Sequence, residues 1–375
     1  MLAFEWRNEP EGIKKVAKSL LKKHSESLRL YNAYALIEWA RGNKAVASDV
    51  FAATLNMSSS MSTEKQTDDI LLWRSWTWCC LEDGDRETAL KQILCTPNGI
   101  PNSSLDISPA AIIRARNHLV SRREYLLGSN SITTAILYAE LVALLAYLTT
   151  TCQDQLQSKA QGDITAYLTE MTTFSDVLAS RDLDKSDYHE AHLQSSARLF
   201  FTHAQNGPFR PSLLRSTITN YLSYFPSNAI FLSLFEWNES RFRIENRVRT
   251  FFNVQTKLVL SQHIFRICHE LRYGTIYSVR ASFEHAVHVT SEARANAGIW
   301  KSYILFTAKH FKVKTREVWY RALRACPWVK ELYLVGFEVL DEELDMHELI
   351  QTWRVLGEKG LRVHVDLEDI FDEIK

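Results

Sequence analysis

The chain is poor in the two residues that interrupt helices. Only 12 of its 375 residues are glycine and 8 are proline, against usual shares of about 7% and about 5%. Sheet-rich and Rossmann-type folds need many turns, so this scarcity favours long helices. Apolar residues make up 46% and charged residues 23%, which excludes a disordered chain.

Several signatures of chemistry are absent as well. The six cysteines form no C-x-x-C pair, which excludes zinc frameworks and thioredoxin-like sites and indicates a reducing compartment. The phosphate-binding and nucleophile motifs GxxxxGK[ST], GxGxxG and GxSxG do not occur. The most apolar run, 135–148, is interrupted by Glu140 and is shorter than the roughly 20 residues that cross a bilayer. It predicts a buried helix and no membrane association.

Residue pairs that suggest a metal or catalytic site are incomplete. Two pairs of histidines are spaced three residues apart: His189 with His192, and His285 with His288. Two ligands do not make a metal site, so solvated or packed helix faces are favoured. Cys268 and His269 are neighbours that point about 100° apart on a helix and cannot act as a catalytic pair. We expect no enzymatic activity, metal, cofactor or small-molecule ligand.

The charge balance is neutral, with 44 Lys plus Arg, 44 Asp plus Glu and a pI near 7.2. Dedicated nucleic-acid binders usually carry a basic excess. Local basic clusters nevertheless exist, and they are candidate contacts for RNA phosphates or for a protein partner: Lys14, Lys15, Lys18, Arg241, Arg243 and Arg247. Acidic residues gather between 338 and 373, which suits docking of a protein partner by complementary charge. Direct binding of single-stranded RNA remains the alternative function.

An internal repeat occurs at a spacing of 42 residues. The equivalent positions are Tyr31 and Trp73, Tyr34 and Trp76, Gly42 and Gly84, Asn43 and Asp85, Ala47 and Ala89, and Phe51 and Ile93. A spacing of three puts both aromatic residues of a unit on one helical face. The pattern predicts a helix, a glycine turn and a second helix. Such hairpins bury their apolar faces only by stacking on neighbours.

The same pattern returns near the C-terminus, with a degenerate copy between 231 and 251. We predict that the large aromatic residues of these units form a structural core: Tyr31, Tyr34, Trp73, Trp76, Trp300, Tyr303, Trp319 and Trp328. The predicted organisation is N-terminal repeats in 1–96, an irregular helical middle in 97–205, and C-terminal repeats with a short extended tail in 206–375. Together these regions predict one continuous all-α, superhelical solenoid.

The repeat resembles half-a-tetratricopeptide (HAT) repeats, which have aromatic residues in the first helix and an acidic residue near its end, as at Glu38 and Glu236. A closer resemblance is to the C-terminal region of the nuclear RNAi defective-2 family. It rests mainly on four segments: 276–286, the aromatic pair in 300–303, 322–330 and 358–369. The segments 224–252 and 17–34 resemble the family more loosely.

This resemblance implies a nuclear, non-enzymatic scaffold in RNA processing, RNA surveillance and small-RNA-guided silencing. The partners that it implies are splicing factors and the RNA helicase that feeds the nuclear exosome. In the family, the helicase-binding segment lies in a polar region upstream of the repeats. This chain begins near the repeats, so we expect a fragment or short relative that binds the helicase weakly or not at all.

Overall fold

The structure is a computed structural model, and it describes residues 2–10, 12–61, 68–102, 104–149, 161–240, 245–254, 258–288, 291–340 and 344–361. These residues form 19 α-helices, two short 3-10 turns and no β-strand. The fold is therefore all-α and of the helical-repeat class, as the composition predicts. Two compact units, 1–225 and 226–375, divide the chain.

The first unit contains eleven helices. They are α1 (Leu2–Asn8), α2 (Ile13–Lys23), α3 (Leu28–Ala40), α4 (Lys44–Ser58), α5 (Asp69–Glu82), α6 (Arg86–Cys95), α7 (Pro109–Gly128), α8 (Ile132–Thr149), α9 (Ile164–Ala179), α10 (Asp187–Gln205) and α11 (Pro211–Tyr224). Where a short turn connects two neighbouring helices, as in α3–α4, α5–α6 and α7–α8, they pack against each other as a hairpin.

The second unit contains eight helices. They are α12 (Ala229–Ser240), α13 (Glu245–Val254), α14 (Leu260–Tyr273), α15 (Ile276–Ala286), α16 (Ala297–His310), α17 (Lys312–Ala325), α18 (Lys330–Val339) and α19 (Met346–Glu358). The predicted boundaries at 97 and 206 both fall within the first unit. The predicted extended tail lies outside the described residues from 362 onward.

The 42-residue repeat corresponds to two equivalent hairpins, α3–α4 and α5–α6. Both turn at a glycine in the left-handed region, with φ of 86° at Gly42 and 83° at Gly84. Residues with a Cβ seldom adopt this conformation, which explains why glycine recurs there. After each glycine, a backbone N–H donates to the carbonyl five residues earlier, at 2.9 Å in both hairpins. The sequence repeat is therefore a repeat of structure.

Helix α8 is the most apolar and most completely buried helix of the first unit, with 13 buried residues. Its carboxylate, Glu140, accepts hydrogen bonds from Arg74 Nε at 2.5 Å and from Trp78 Nε1 at 2.6 Å. By length and composition alone this helix could cross a membrane, yet 72% of it is buried inside the protein. The predicted buried helix is confirmed.

The hairpin α16–α17 organises the core of the second unit around three of the predicted aromatic residues. Trp300, Tyr303 and Trp319 are each at most 1% exposed. Tyr303 stacks on Phe283 with ring centroids 5.0 Å apart. The indole N–H of Trp319 donates to the carbonyl of Leu332 at 2.8 Å. This bond satisfies the polar atom that the buried indole brings with it.

Helix α18 approaches this hairpin closely because it carries a glycine at the contact. A Cβ added at Gly336 would overlap the indole ring of Trp319. The ring therefore occupies the space that a side chain at this position of α18 would need.

The remaining predicted core residues differ in burial. Trp73 and Trp76 are buried, and Trp76 stacks on Phe51 at 5.6 Å. Tyr31 and Tyr34 are half-buried. The prediction for Trp328 is wrong, because its side chain is 62% exposed. Helix α17 ends at Ala325, so Trp328 lies in the turn before α18 and not on a packed helix face.

Candidate partner interface

Helix α14 has its polar and apolar faces reversed relative to an ordinary surface helix. Its exposed stripe is apolar and consists of Leu260, Ile264, Cys268 and Leu271, of which Leu271 is 55% exposed. The face turned inward buries one apolar residue, Ile267, together with four polar ones: Gln262, His263, His269 and Glu270. A surface helix normally turns its apolar residues toward the core. The exposed apolar residues of α14 therefore make its outer face a candidate contact site for a partner.

The polar face of α14 is held inward by hydrogen bonds from neighbouring elements. Glu270 accepts two bonds from Arg249, at 2.7 and 3.0 Å, and one from Ser278 at 2.6 Å. Burial opposes ionisation of Glu270, but these bonds outweigh it and lower the pKa of the carboxyl group. Ser291 contacts His263 Nε2 at 3.2 Å. These partners fix the rotation of the helix, and the apolar stripe follows from it.

A groove of about 430 Å³ separates α14 from α12. One wall is a single face of α12 with residues at i, i+3, i+4 and i+7: Ser233, Glu236, Trp237 and Ser240. The other wall comes from α14 and consists of Ile264, Phe265, Cys268, Arg272 and Tyr273. The groove and the stripe share Ile264 and Cys268, so they form one surface, which we call the α12/α14 surface. Its aromatic and aliphatic lining with a few polar groups is typical of binding sites.

The charges at this surface are arranged unevenly. Glu236 is 12% exposed, and its Oε1 atom lies 3.5 Å from His269 Nδ1 and 3.6 Å from Arg272 Nη1. Among the described side chains, neither ring nitrogen of buried His269 makes a hydrogen bond. The arginine, in contrast, is 66% exposed. On the adjacent helix α13, Arg247 is 49% exposed while Glu239, 3.7 Å away, is fully buried.

The structure places the predicted basic contacts in separate units. Lys14, Lys15 and Lys18 lie on the exposed face of α2 in the first unit. Arg247 lies on α13 in the second unit. Arg241 and Arg243 lie outside the described residues. Of the six predicted contacts, Arg247 is therefore the one that the structure places on a helix packed against α12 and α14.

The described residues contain no group of three or more metal-ligating side chains. Of the histidine pairs, His189 and His192 are buried, and burial lowers the pKa of His192 to about 4. A ring that stays neutral and donates or accepts inside the core has a packing role.

Comparison with known proteins gives relatives along nearly the whole chain, although no protein-family model matches it. The nuclear exosome regulator NRDE2 of Mus musculus is 23% identical over 411 residues, which cover 97% of this chain and 34% of that protein. The Homo sapiens protein of the same name is 23% identical over 412 residues, with the same coverage. The chain is thus similar to NRDE2 proteins along nearly its whole length. A third relative of the same name, from Dictyostelium discoideum, is 24% identical over 171 residues, 41% of this chain and 13% of that protein.

The similarity to these NRDE2 proteins confirms the resemblance found in the sequence. This chain spans about a third of the length of the mouse and human relatives that it matches. The α12/α14 surface lies within the aligned region, since the alignments cover 97% of the chain.

Proposed function

We propose that this chain is a non-enzymatic scaffold in nuclear RNA processing and RNA surveillance, which holds a protein partner on the α12/α14 surface. The names of the mouse and human relatives describe regulators of the nuclear exosome and support the pathway and the nuclear location. Helical-hairpin arrays are well suited to this role, because their stacked helices present extended binding surfaces.

The observation that carries the proposal is the reversed amphipathicity of α14. Four polar residues are buried on its inner face, while Ile264 and Leu271 are 43% and 55% exposed. Contiguous exposed apolar residues rimmed by polar groups mark protein-protein contact sites. The proposed partners are proteins of the exosome-associated helicase machinery, the spliceosome or small-RNA-guided silencing.

Direct binding of single-stranded RNA is the second candidate, and a specific feature supports it. All five lysines of α2 are exposed, namely Lys14, Lys15, Lys18, Lys22 and Lys23. Lysines on one helix can contact successive RNA phosphates, and such binding weakens steeply with salt. The neutral total charge of the chain favours the protein-scaffold function over this alternative.

The test is capture of proteins from nuclease-treated nuclear extract on the purified chain. We expect nuclear RNA-processing proteins to be retained by the unmodified chain and lost from the double variant Ile264→Asp/Leu271→Asp. Ile113→Asp is the matched control, since Ile113 is a 60% exposed apolar residue on α7, and it should retain them. Circular dichroism melts establish that the variants are folded.

Three outcomes would contradict parts of the proposal. If the unmodified chain retains no RNA-processing protein from either untreated or nuclease-treated extract, the function is wrong. If the double variant retains the same proteins, the α12/α14 surface is not the docking site. If proteins are retained from untreated extract but are lost after nuclease treatment and in Lys14→Glu/Lys18→Glu, RNA binding is the better description.

A further inference from the structure

We propose that the occupant of the α12/α14 surface is an amphipathic α-helix of about three turns whose apolar stripe is flanked by carboxylate side chains. This inference rests on the proposed scaffold function and adds the chemistry of the partner. It draws on three observations in the second unit: the spacing of the apolar stripe, the shape of the groove and the sign of the exposed charges.

The spacing of the stripe fits a helix laid along α14. Leu260, Ile264, Cys268 and Leu271 stand at i, i+4, i+8 and i+11, which places them in one row along the helix. From the first to the last, the row is about 16 Å long at 1.5 Å per residue. Rows of this spacing receive the ridges of a second helix, whereas an extended peptide would need partners every second residue.

The groove beside the stripe can accept the side chains that project from one face of a partner helix. Trp237 from α12 and Phe265 and Tyr273 from α14 line it, together with Ile264. Large aromatic walls around a concave site are typical of grooves that accept the apolar face of a helix. The central contact is thus expected to be apolar, and specificity must come from the rim.

The rim selects for negative charge. Among the described side chains of α12, α13 and α14, the three acidic residues are turned inward: Glu236 is 12% exposed, Glu239 fully buried and Glu270 5% exposed. The exposed charges are those of Arg272, which lines the groove, and of Arg247 on α13, the helix that packs against both walls. A partner with carboxylates beside its apolar stripe would meet these guanidinium groups, whereas a lysine-rich helix would meet like charge.

A second copy of this chain is a less suitable occupant. Its own α12/α14 surface would present the same exposed arginines, so an isologous contact would bring like charges together. A helix of opposite rim charge avoids this repulsion and can approach the groove with electrostatic steering.

The test uses two synthetic helical peptides of about 18 residues that share a leucine stripe and differ at the flanking positions. One carries glutamate there and the other carries lysine. Both are labelled with fluorescein and titrated with the full chain by fluorescence anisotropy. Because one exposed ion pair is worth up to about 1 kcal/mol, the glutamate peptide should bind about fivefold more tightly per pair formed. The preference should shrink between about 50 mM and about 300 mM salt, because exposed charges are screened.

Substitutions separate the apolar contribution from the charged one. Arg272→Glu should abolish or reverse the preference between the two peptides while leaving Ile264 and Leu271 available for the stripe. The control Lys18→Glu removes an exposed cation from the first unit and should leave the preference unchanged. Ile264→Asp/Leu271→Asp should weaken both peptides together.

The proposal is overturned by equal binding of the two peptides, by tighter binding of the lysine peptide, or by peptide binding that survives Ile264→Asp/Leu271→Asp. It is also overturned by a concentration-dependent dimer, seen by light scattering, that the double variant dissociates. The peptide assay contains no nuclear protein, so its failure is distinct from failure of the scaffold function. Captured RNA-processing proteins that still depend on Ile264 and Leu271 would leave the scaffold in place with another kind of occupant.

Discussion

Helices α8 and α14 distribute their apolar residues in opposite ways. Helix α8 is apolar nearly throughout and buried, and its one carboxylate, Glu140, is paired with Arg74 inside the protein. Helix α14 buries four polar residues beside Ile267 and exposes Ile264 and Leu271. The more hydrophobic helix is thus the structural one, and the less hydrophobic helix carries the candidate interface.

This contrast shows that hydrophobicity alone does not identify a docking surface. An apolar residue marks a candidate docking surface only when it is not covered by other residues of its own unit. For α14, the partners of the polar face decide the question, because Arg249 and Ser278 hold Glu270 inside. Rotating the helix to hide Leu271 would break these charge-assisted bonds, which are stronger than ordinary ones.

The largest expected change in the free energy of unfolding comes from a comparison in which a leucine is replaced by aspartate in each helix. Leu144 in α8 is fully buried, so Leu144→Asp should cost more than about 4 kcal/mol or prevent folding, because the carboxylate would be unpaired. Leu271→Asp in α14 should change the free energy of unfolding by no more than about 0.5 kcal/mol. Urea denaturation followed by circular dichroism measures both. Equal destabilisation would mean that the outer face of α14 is packed.

A second pair of substitutions tests the same distinction for tryptophan. Trp300 is 1% exposed and donates its indole N–H to the carbonyl of Arg294 at 2.7 Å. Trp300→Ala should therefore cost about 3–5 kcal/mol. Trp328→Ala is the control and should cost less than about 0.5 kcal/mol, since that side chain is 62% exposed. An unchanged denaturation midpoint for Trp300→Ala would contradict the assigned repeat core.

The smallest expected effect is a change in how protein stability depends on pH, and it involves a buried histidine at each of the two helices. His203 of α10 is buried against α8, where it contacts Tyr147 at 2.9 Å. His263 lies on the buried face of α14 itself. Burial lowers the pKa of both to about 4. Because the unfolded pKa is about 6.5, the stability that each contributes is complete above that pH and is lost as the pH falls toward 4.

At pH 5, each histidine should have lost about 2 kcal/mol of its contribution relative to pH 7. Urea midpoints measured across this range should fall less steeply in His203→Gln and His263→Gln than in the unmodified chain. His347→Gln, at an exposed position, should keep the original slope. Parallel slopes in all four proteins would show that these imidazoles are protonated in the folded state.

The sequence was sufficient for the helical fold and for the turns of the repeat. Aromatic residues three apart identified Trp73 and Trp76, and the recurring glycine marked turns that need a positive φ. Spacing failed at Trp328, which follows Pro327 in a turn where helical periodicity no longer applies.

The α12/α14 surface could not be predicted in the same way. An amphipathic pattern is visible in 260–273, but the usual rule would turn Ile264 and Leu271 inward. The residues that reverse it are distant in sequence, since Arg249 lies 21 positions and Ser291 lies 28 positions from the α14 residues that they contact. Only the packing of separate elements shows which face of the helix is covered.

The close contact between Trp319 and Gly336 has a consequence for how this protein can change over evolution. The Trp319 indole occupies the space that a side chain at 336 would need. A larger residue at 336 would collide with the indole, and a smaller one at 319 would leave a void beside the glycine. We therefore expect a substitution at either position to be tolerated only when the other position changes with it.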